Sequence, residues 1–300
     1  MTKEKSAPNT LSHHRFYKAE QAAGFAERHP RVSPQQRDPA YALAFRDTDF
    51  LLRQELRPVR FQLELLKPEM LLDEAGIAST LVVYGSARIP SPERVQATLD
   101  AATTPEARAV AERLTAKARY YEEARKLAYL AASAGIVDTS AGGRGRRHFV
   151  VCSGGGPSIM EAANRGAAEA GAETIGLNIT LQHEQEPNRF VTPHLSFQFH
   201  YFALRKMHFL LRARAVAVFP GGFGTFDELF ELLTLVQTGK MQPIPILLFG
   251  GEYWDRVVDF RAIAEEGLIN FDDLDLFWRV ETAAEGWERI VDFYALETGD

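Results

Sequence analysis

The sequence predicts an α/β protein, a doubly wound parallel sheet with a helical extension ahead of it, and three observations carry that prediction. Short, continuously apolar β-rich runs alternate with helical stretches from Gly76 onward, as in parallel sheets covered on both faces. Glycine-rich loops follow three of those runs. The 46% hydrophobic and 25% charged composition over 300 residues is that of a folded globular chain with room for one large core.

The first element is Ser79-Thr-Leu-Val-Val-Tyr84, a strand ending in Gly85-Ser86, followed by an Ala-rich stretch from Pro105 to Ser133 that reads as one or two long helices. Then come a strand at Phe149 to Cys152, a helix at Ser158 to Ala170 and a strand at Thr174 to Ile179. A loop leads to a helix at Tyr201 to Leu211. Strand Ala215 to Phe219, helix Phe226 to Val236, strand Ile244 to Phe249 and C-terminal helices complete the chain. The alternation is Rossmann-like, and in such sheets ligands bind beyond the carboxyl ends of the strands. Residues 76–300 are therefore one domain. Residues 1–75 are an extension: a polar arm to about residue 38, then two or three short helices between Ala40 and Glu74, broken at Pro58 and Pro68.

A net charge of −6 lacks the basic excess that nucleic-acid backbones demand, so no nucleic-acid partner is expected. Apolar runs such as Ile244 to Phe249 fall far short of a bilayer span, and no secretory segment opens the chain. The single cysteine, Cys152, excludes an intrachain disulfide and fits a reducing, cytoplasmic setting; within an apolar run it reads as a buried small hydrophobe. His13-His14 has no second pair at ligand spacing, and no metal is expected.

Three loops carry chemistry. Tyr84-Gly85-Ser86-Ala-Arg88 lets backbone and hydroxyl approach a ligand closely, or is a tight turn with Arg88 as a surface charge. Ser153-Gly154-Gly155-Gly156-Pro157 precedes a helix, with Pro157 at its expected first position, so free amides and the helix dipole would face an anion. It lacks the third glycine of the dinucleotide fingerprint, and the next strand ends in Leu177-Asn178 with no acidic ribose partner, which argues against NAD. No Gly-Lys-Ser/Thr follows any of these glycines, so ATP-driven chemistry loses its main support.

The third loop, Pro220-Gly221-Gly222-Phe-Gly224-Thr225-Phe-Asp-Glu228, opens a helix in the manner of a phosphate cradle. Thr225 to Glu228 also has the spacing of a capping box, in which Glu228 would only satisfy its own N-cap amide. The glycines favour a ligand. On a first helical turn Glu228 is expected to stay ionised. Upstream, Arg205 and Lys206 stand among apolar neighbours on a helix, as snorkelling cations or as ligand contacts.

Together, Arg205-Lys206, Pro220 to Glu228 and the Gly154-Gly-Gly loop resemble the LONELY GUY (LOG) family, often labelled "possible lysine decarboxylase". The resemblance spans about Ser79 to Phe249, and the N-terminal extension looks like that of longer bacterial members. It implies a phosphoribohydrolase that cleaves nucleoside 5′-monophosphates, AMP or cytokinin riboside 5′-monophosphates, to free base and ribose 5-phosphate without a cofactor. It further implies Arg205 and Glu228 as the catalytic pair. Gly85, Ser86, Gly154, Gly155, Gly156, Asn178, Lys206, Gly221, Gly222, Gly224 and Thr225 would bind substrate or phosphate, at a site near the interface of a homodimer or higher homo-oligomer.

This chain departs from the family pattern in lacking the Met and His of the M-H-x-R-K helix, and in reading Tyr84-Gly-Ser-Ala-Arg88 where many members have C-G-S-S. The segment Gly176 to Asn188 has no assigned chemistry. No motif presents a Schiff-base lysine with a ring-nitrogen partner, so a decarboxylase is not supported. The alternative is a non-catalytic nucleotide or molybdenum-cofactor-like carrier, which would keep the glycine loops without needing Arg205 and Glu228 together.

Overall fold

The structure is a computed structural model that describes residues 17–28, 30–139, 145–182 and 186–296; His13-His14 and part of the Gly176 to Asn188 loop lie outside these. The chain divides into two compact units, Met1–Gln62 and Leu63–Asp300. In the first, helices α1 (Ala19–Arg28), α2 (Pro34–Arg37) and α3 (Thr48–Leu51) form where Ala-rich sequence or side-chain caps favour them. Ser33 caps α2 in a full capping box with Gln36, and Asp47 caps α3.

Helix α4 (Arg57–Glu74) runs across the unit boundary, and here the expected break at Pro68 does not occur. Pro68 is buried inside the helix and can donate no N–H to the carbonyl of Glu64 one turn back. That carbonyl accepts instead from His208 Nε2–H at 3.1 Å. A side chain distant in sequence thus replaces the missing helical bond. Pro58, at the second position of the helix, sits where a missing N–H costs nothing.

The second unit continues with β1 (Thr80–Tyr84), α5 (Val95–Asp100), α6 (Pro105–Thr115), α7 (Arg119–Ser133), the short strands β2 (Val137–Asp138) and β3 (Arg146–Arg147), then β4 (Val150–Ser153) and α8 (Ile159–Glu169). It proceeds through β5 (Ile175–Ile179), β6 (Ser196–Phe199), α9 (Phe202–Leu211), β7 (Ala213–Val218), α10 (Phe223–Gln237), β8 (Ile246–Phe249), α11 (Gly251–Val257), α12 (Phe260–Glu265), β9 (Trp278–Val280) and α13 (Ala283–Tyr294). Seven strands form one sheet in the order β6-β5-β4-β1-β7-β8-β9, with every pairing parallel. This is the Rossmann-like α/β fold.

The strands alternate their side chains between two cores. Val82, Tyr84, Cys152, Leu177, Val216, Val218 and Leu248 face one layer with Phe209, Leu229, Leu232 and Trp254 of α9, α10 and α11. Leu81, Val83, Val151, Ala215, Ala217 and Leu247 face the other, against α7, α8 and α13. On that side Gly166 lets α8 approach α7 so closely that a Cβ there would lie 2.0 Å from the Arg125 carbonyl. Cys152 is buried among apolar neighbours, and burial pushes its thiol pKa up, which keeps it protonated and inert.

Two strands of the seven-stranded sheet, besides the short pair β2 and β3, are not expected from the sequence. β6 falls in what was expected to be a loop and β9 in what was expected to be helical. Both are at most four residues long, and each exists because a neighbouring strand offers its edge, which no local propensity encodes. Among the described residues, no helix is long and apolar enough to cross a membrane, and no group of three or more His, Cys, Asp or Glu is placed to hold a metal ion.

Candidate functional site

From β1 at the centre of the sheet, the chain moves outward through β4, β5 and β6 and then returns to β7 on the other side of β1. The reversal leaves a crevice beyond the carboxyl ends of β1, β4 and β7, where ligands bind in open α/β sheets. A cavity of about 1000 Å³ lies there. It is lined by the loop after β1 (Gly85, Ser86, Ala87, Arg88), by Met160 of α8, by Arg205 of α9, by Gly222 to Glu228 at the start of α10, by Phe230 further along that helix, and by Val257 of α11. Ser86 N–H donates to the Pro220 carbonyl at 3.1 Å, which holds the first and third loops together, and Tyr253 Oη–H of α11 donates to the Gly221 carbonyl at 2.5 Å, which ties the third loop to α11.

The third loop differs from both sequence readings of it. Helix α10 begins one turn earlier than expected: its N-cap is Gly222, with no side-chain cap, and the first helical bond runs from Phe226 N–H to the Gly222 carbonyl at 3.0 Å. Thr225 and Glu228 therefore lie within the helix, and Glu228 closes no capping box. Its carboxylate points sideways to Arg205, with Oε1 3.4 Å from Nη1 and the two side chains 12% and 11% exposed. Gly221 is needed because Thr225 folds over it, a Cβ there falling 2.1 Å from Thr225 Oγ1. A Cβ on Gly222 or Gly224 would meet nothing within 4 Å, so nothing in the chain itself demands glycine at those two positions.

Arg205 is held from three sides. Its Nε–H donates to the Leu177 carbonyl in the middle of β5 at 2.7 Å, its guanidinium lies over the Phe209 ring at 5.0 Å, and Nη1 faces Glu228. Beneath it is Gly154, where a Cβ would come within 2.6 Å of Nη2. This ion pair is desolvated, and the two effects on Glu228 oppose each other. Burial raises its pKa and the Arg205 charge lowers it; burial wins, leaving the group at about 7. That corrects the expectation of a firmly ionised carboxylate, because Glu228 sits in the second turn of α10, away from the free amides of the helix end.

The glycine loop after β4 also differs from expectation. Pro157 stands before the helix, and Ser158, at φ 65°, is the N-cap, its hydroxyl donating to the Ile89 carbonyl at 2.5 Å. The Gly155 N–H is taken by Ser153 Oγ, and Gly155, at φ 71°, abuts Asn178, leaving no room for a side chain. Asn178 itself leans on the Phe197 carbonyl at 3.3 Å. Gly154, Gly155, Gly156 and Asn178 thus shape the wall behind Arg205 and do not line the cavity.

The unassigned Gly176 to Asn188 segment has a role here. Asn188 Nδ2 lies 3.1 and 3.0 Å from the Gly155 and Gly156 carbonyls and 2.9 Å from Asn164 Oδ1. Asn164 in turn accepts from Ser153 Oγ and donates to Thr174 Oγ1. This buried network pins the loop. Asn188 had no signal in the sequence, since a lone Asn after a polar loop reads as solvated.

Of the expected contacts, Gly85, Ser86, Arg205, Gly222, Gly224, Thr225 and Glu228 meet in the cavity, and Arg88, Met160, Phe223, Phe226 and Phe230 join them. Lys206 turns away, its Nζ 3.0 Å from Asp227 and 3.2 Å from Glu231. Burial alone would lower its pKa, but these two carboxylates outweigh that and raise it. A permanently protonated amine is a poor Schiff-base nucleophile, so Lys206 does not suit pyridoxal chemistry.

Fold and site define a Rossmann-like α/β protein whose strand-end loops bring a buried arginine–glutamate pair to a single cavity. Residues 160–290 match the family model described as "possible lysine decarboxylase", the family that the motifs resemble. The pyrimidine/purine nucleotide 5′-monophosphate nucleosidase of Escherichia coli K12 is 31% identical over 136 residues, an alignment covering 42% of this chain and 29% of that protein. The nucleosidase of E. coli O157:H7 matches to the same extent, so the chain spans under a third of the length of these curated relatives. A molybdenum cofactor carrier protein from Chlamydomonas reinhardtii, at 17% identity, superposes over 73% of this chain and 99% of its own with a TM-score of 0.43.

Proposed function

We propose that this protein hydrolyses the N-glycosidic bond of nucleoside 5′-monophosphates, releasing the free base and ribose 5-phosphate. The observation that carries the reading is the desolvated Arg205–Glu228 pair beside the glycine-rich N-terminus of α10. The amides of Gly222 to Thr225 and the positive end of the helix dipole suit the 5′-phosphate. With the phosphate there, the ribose lies over Glu228. As the C1′–N bond breaks, its electron pair leaves with the base and positive charge grows on C1′. A fixed carboxylate stabilises that charge more in the transition state than in the ground state. Water oxygen then bonds to C1′, its proton passing to Glu228 and onward to the departed base nitrogen. Arg205 holds Glu228 in place and offsets negative charge on the leaving base or the phosphate.

The test is incubation of the pure full-length protein with AMP, a panel of other nucleoside monophosphates and a cytokinin riboside 5′-monophosphate, followed by chromatography for free base. Stoichiometric base and ribose 5-phosphate are expected. Binding of AMP with no base released would replace this reading with that of a non-catalytic carrier.

We also propose that the working form is a homodimer or higher homo-oligomer in the cytoplasm. The exposed apolar side chains Phe202, Met207 and Leu211 of α9, and Phe223, 97% exposed at the cavity, support self-association.

A further inference from the structure

The segment that presents Arg205 is gripped at both ends by α4, an element that none of the site motifs includes. At the N-terminal end of α9, the Glu64 carboxylate accepts from His200 N–H at 2.9 Å and from Tyr201 N–H at 3.2 Å. Tyr201 is the N-cap of α9 and has no side-chain cap of its own, so Glu64 supplies from outside the anion that a helix start favours. In the middle, His208 Nε2–H donates to the Glu64 carbonyl that Pro68 leaves open. At the far end, Arg212, the C-cap of α9, pairs with Glu69 at 3.1 Å and with Asp73 at 3.2 Å. Glu64 is therefore bonded to α9 through both its side chain and its backbone.

Arg205 stands on the first turn of that helix, its own N–H donating to the Tyr201 carbonyl at 3.1 Å. The turn that Glu64 caps is the turn that aims the guanidinium at the Leu177 carbonyl and at Glu228. We propose that Glu64 is a positioning residue for Arg205: by capping the first turn of α9 it fixes the distance between Arg205 and Glu228. The proposal rests on the hydrolase reading for its effect on turnover, but the geometry it sets can be measured without substrate.

Glu228 is faced by Arg205 and Lys206 from α9, by Asp227 and Glu231 from its own helix, and by Tyr84 from β1. Among these, Arg205 is the strongest force lowering its pKa. If Glu64→Ala lets α9 shift, Arg205 recedes and the Glu228 titration moves to higher pH. A change in overall stability alone would not do this.

The experiment compares the full-length protein with Glu64→Ala and Glu64→Gln, the latter keeping one acceptor. It follows steady-state AMP hydrolysis per folded molecule, and titrates the side-chain carboxyl carbons of 13C-labelled glutamate, with the Glu228 signal assigned by its loss in Glu228→Gln. The expected result for Glu64→Ala is a fall in kcat of roughly tenfold with KM held within about twofold. Partial recovery is expected in Glu64→Gln, together with an upward move of the Glu228 midpoint in both.

Unchanged kcat and an unchanged Glu228 midpoint would overturn the positioning role while leaving the hydrolase reading intact. A wild-type protein that does not cleave AMP, yet whose Glu228 midpoint rises in Glu64→Ala, would sink the hydrolase reading and uphold the positioning role. Should Glu64→Ala fail to fold, the Glu64→Gln midpoint decides: a smaller shift in the same direction supports the role, and none refutes it.

Discussion

At Glu228, burial and charge pairing pull against each other, and the outcome has two consequences of opposite sign. For catalysis, a carboxylate at about 7 in the free protein is anionic above neutrality, so kcat/KM for AMP should rise with pH through that value and fall below it as Glu228 takes up its proton. For stability the order reverses. A carboxyl whose folded pKa is raised stabilises the fold below its unfolded value, and that stability is lost as pH climbs through the folded pKa. From 4.5 to about 7 the effect corresponds to roughly 3 kcal/mol. Glu228→Gln should therefore lower kcat by about a hundredfold or more with nucleotide binding retained. The same variant should melt higher than the parent at pH 8 and level with it near pH 4; calorimetry at the two pH values and AMP turnover check both. Gly154 is a second sensitive position, because a methyl group there would press on Arg205 Nη2 and Met160 Sδ. Gly154→Ala should cost roughly tenfold in kcat/KM through displacement of the guanidinium, with the far-UV spectrum unchanged.

The elements that matter most were readable to different degrees, and α4 and α10 show why. In α10 the apolar spacing and the Gly-rich entry marked a helix, but its start was misplaced because Thr225-x-x-Glu228 imitates a capping box. The true start at Gly222 needs no side-chain cap. In α4 a proline normally ends a helix, yet the helix continues through Pro68 because His208, 140 residues further along the sequence, supplies the donor that the proline lacks. This compensation can be measured. His208→Leu leaves the Glu64 carbonyl without a partner when Pro68 is present, whereas Pro68→Ala restores a helical N–H to it. In a double-mutant cycle, His208→Leu should cost about 1 kcal/mol more in the parent than in the Pro68→Ala background, read from urea midpoints at constant m. Equal costs in the two backgrounds would show that the His208 bond does not replace the missing one.

For the molecule as a whole, sheet order decides where chemistry is possible. The loops that stood out in the sequence follow β1, β4 and β7, and these strands are adjacent only because the chain reverses direction at β1. The loops after β1 and β7 line the cavity directly, while the loop after β4 supports Arg205 from behind. The apolar residues left exposed on α9 and at the start of α10 lead to a prediction at this scale: in sedimentation velocity the protein should run as a dimer or larger. Met207→Glu, a charge on a side chain 44% exposed and outside the cavity lining, should shift it toward monomer. A monomeric parent at micromolar concentration would refute the proposed assembly.

What the sequence determined by itself was the alternation of apolar runs with helices, and the glycine loops with Arg205 and Glu228 as the groups to watch. Those features are written in local periodicity and in residues whose chemistry is distinctive wherever they fall. What only the tertiary structure decided was their use: that Glu228 faces Arg205 and not its own helix end, that Lys206 is spent on Asp227 and Glu231, and that Asn188 and Glu64 hold the loop and the helix around the site. A side chain's partner and protonation state depend on what the fold packs against it and how much water that packing removes. Neither quantity is carried by neighbours in sequence.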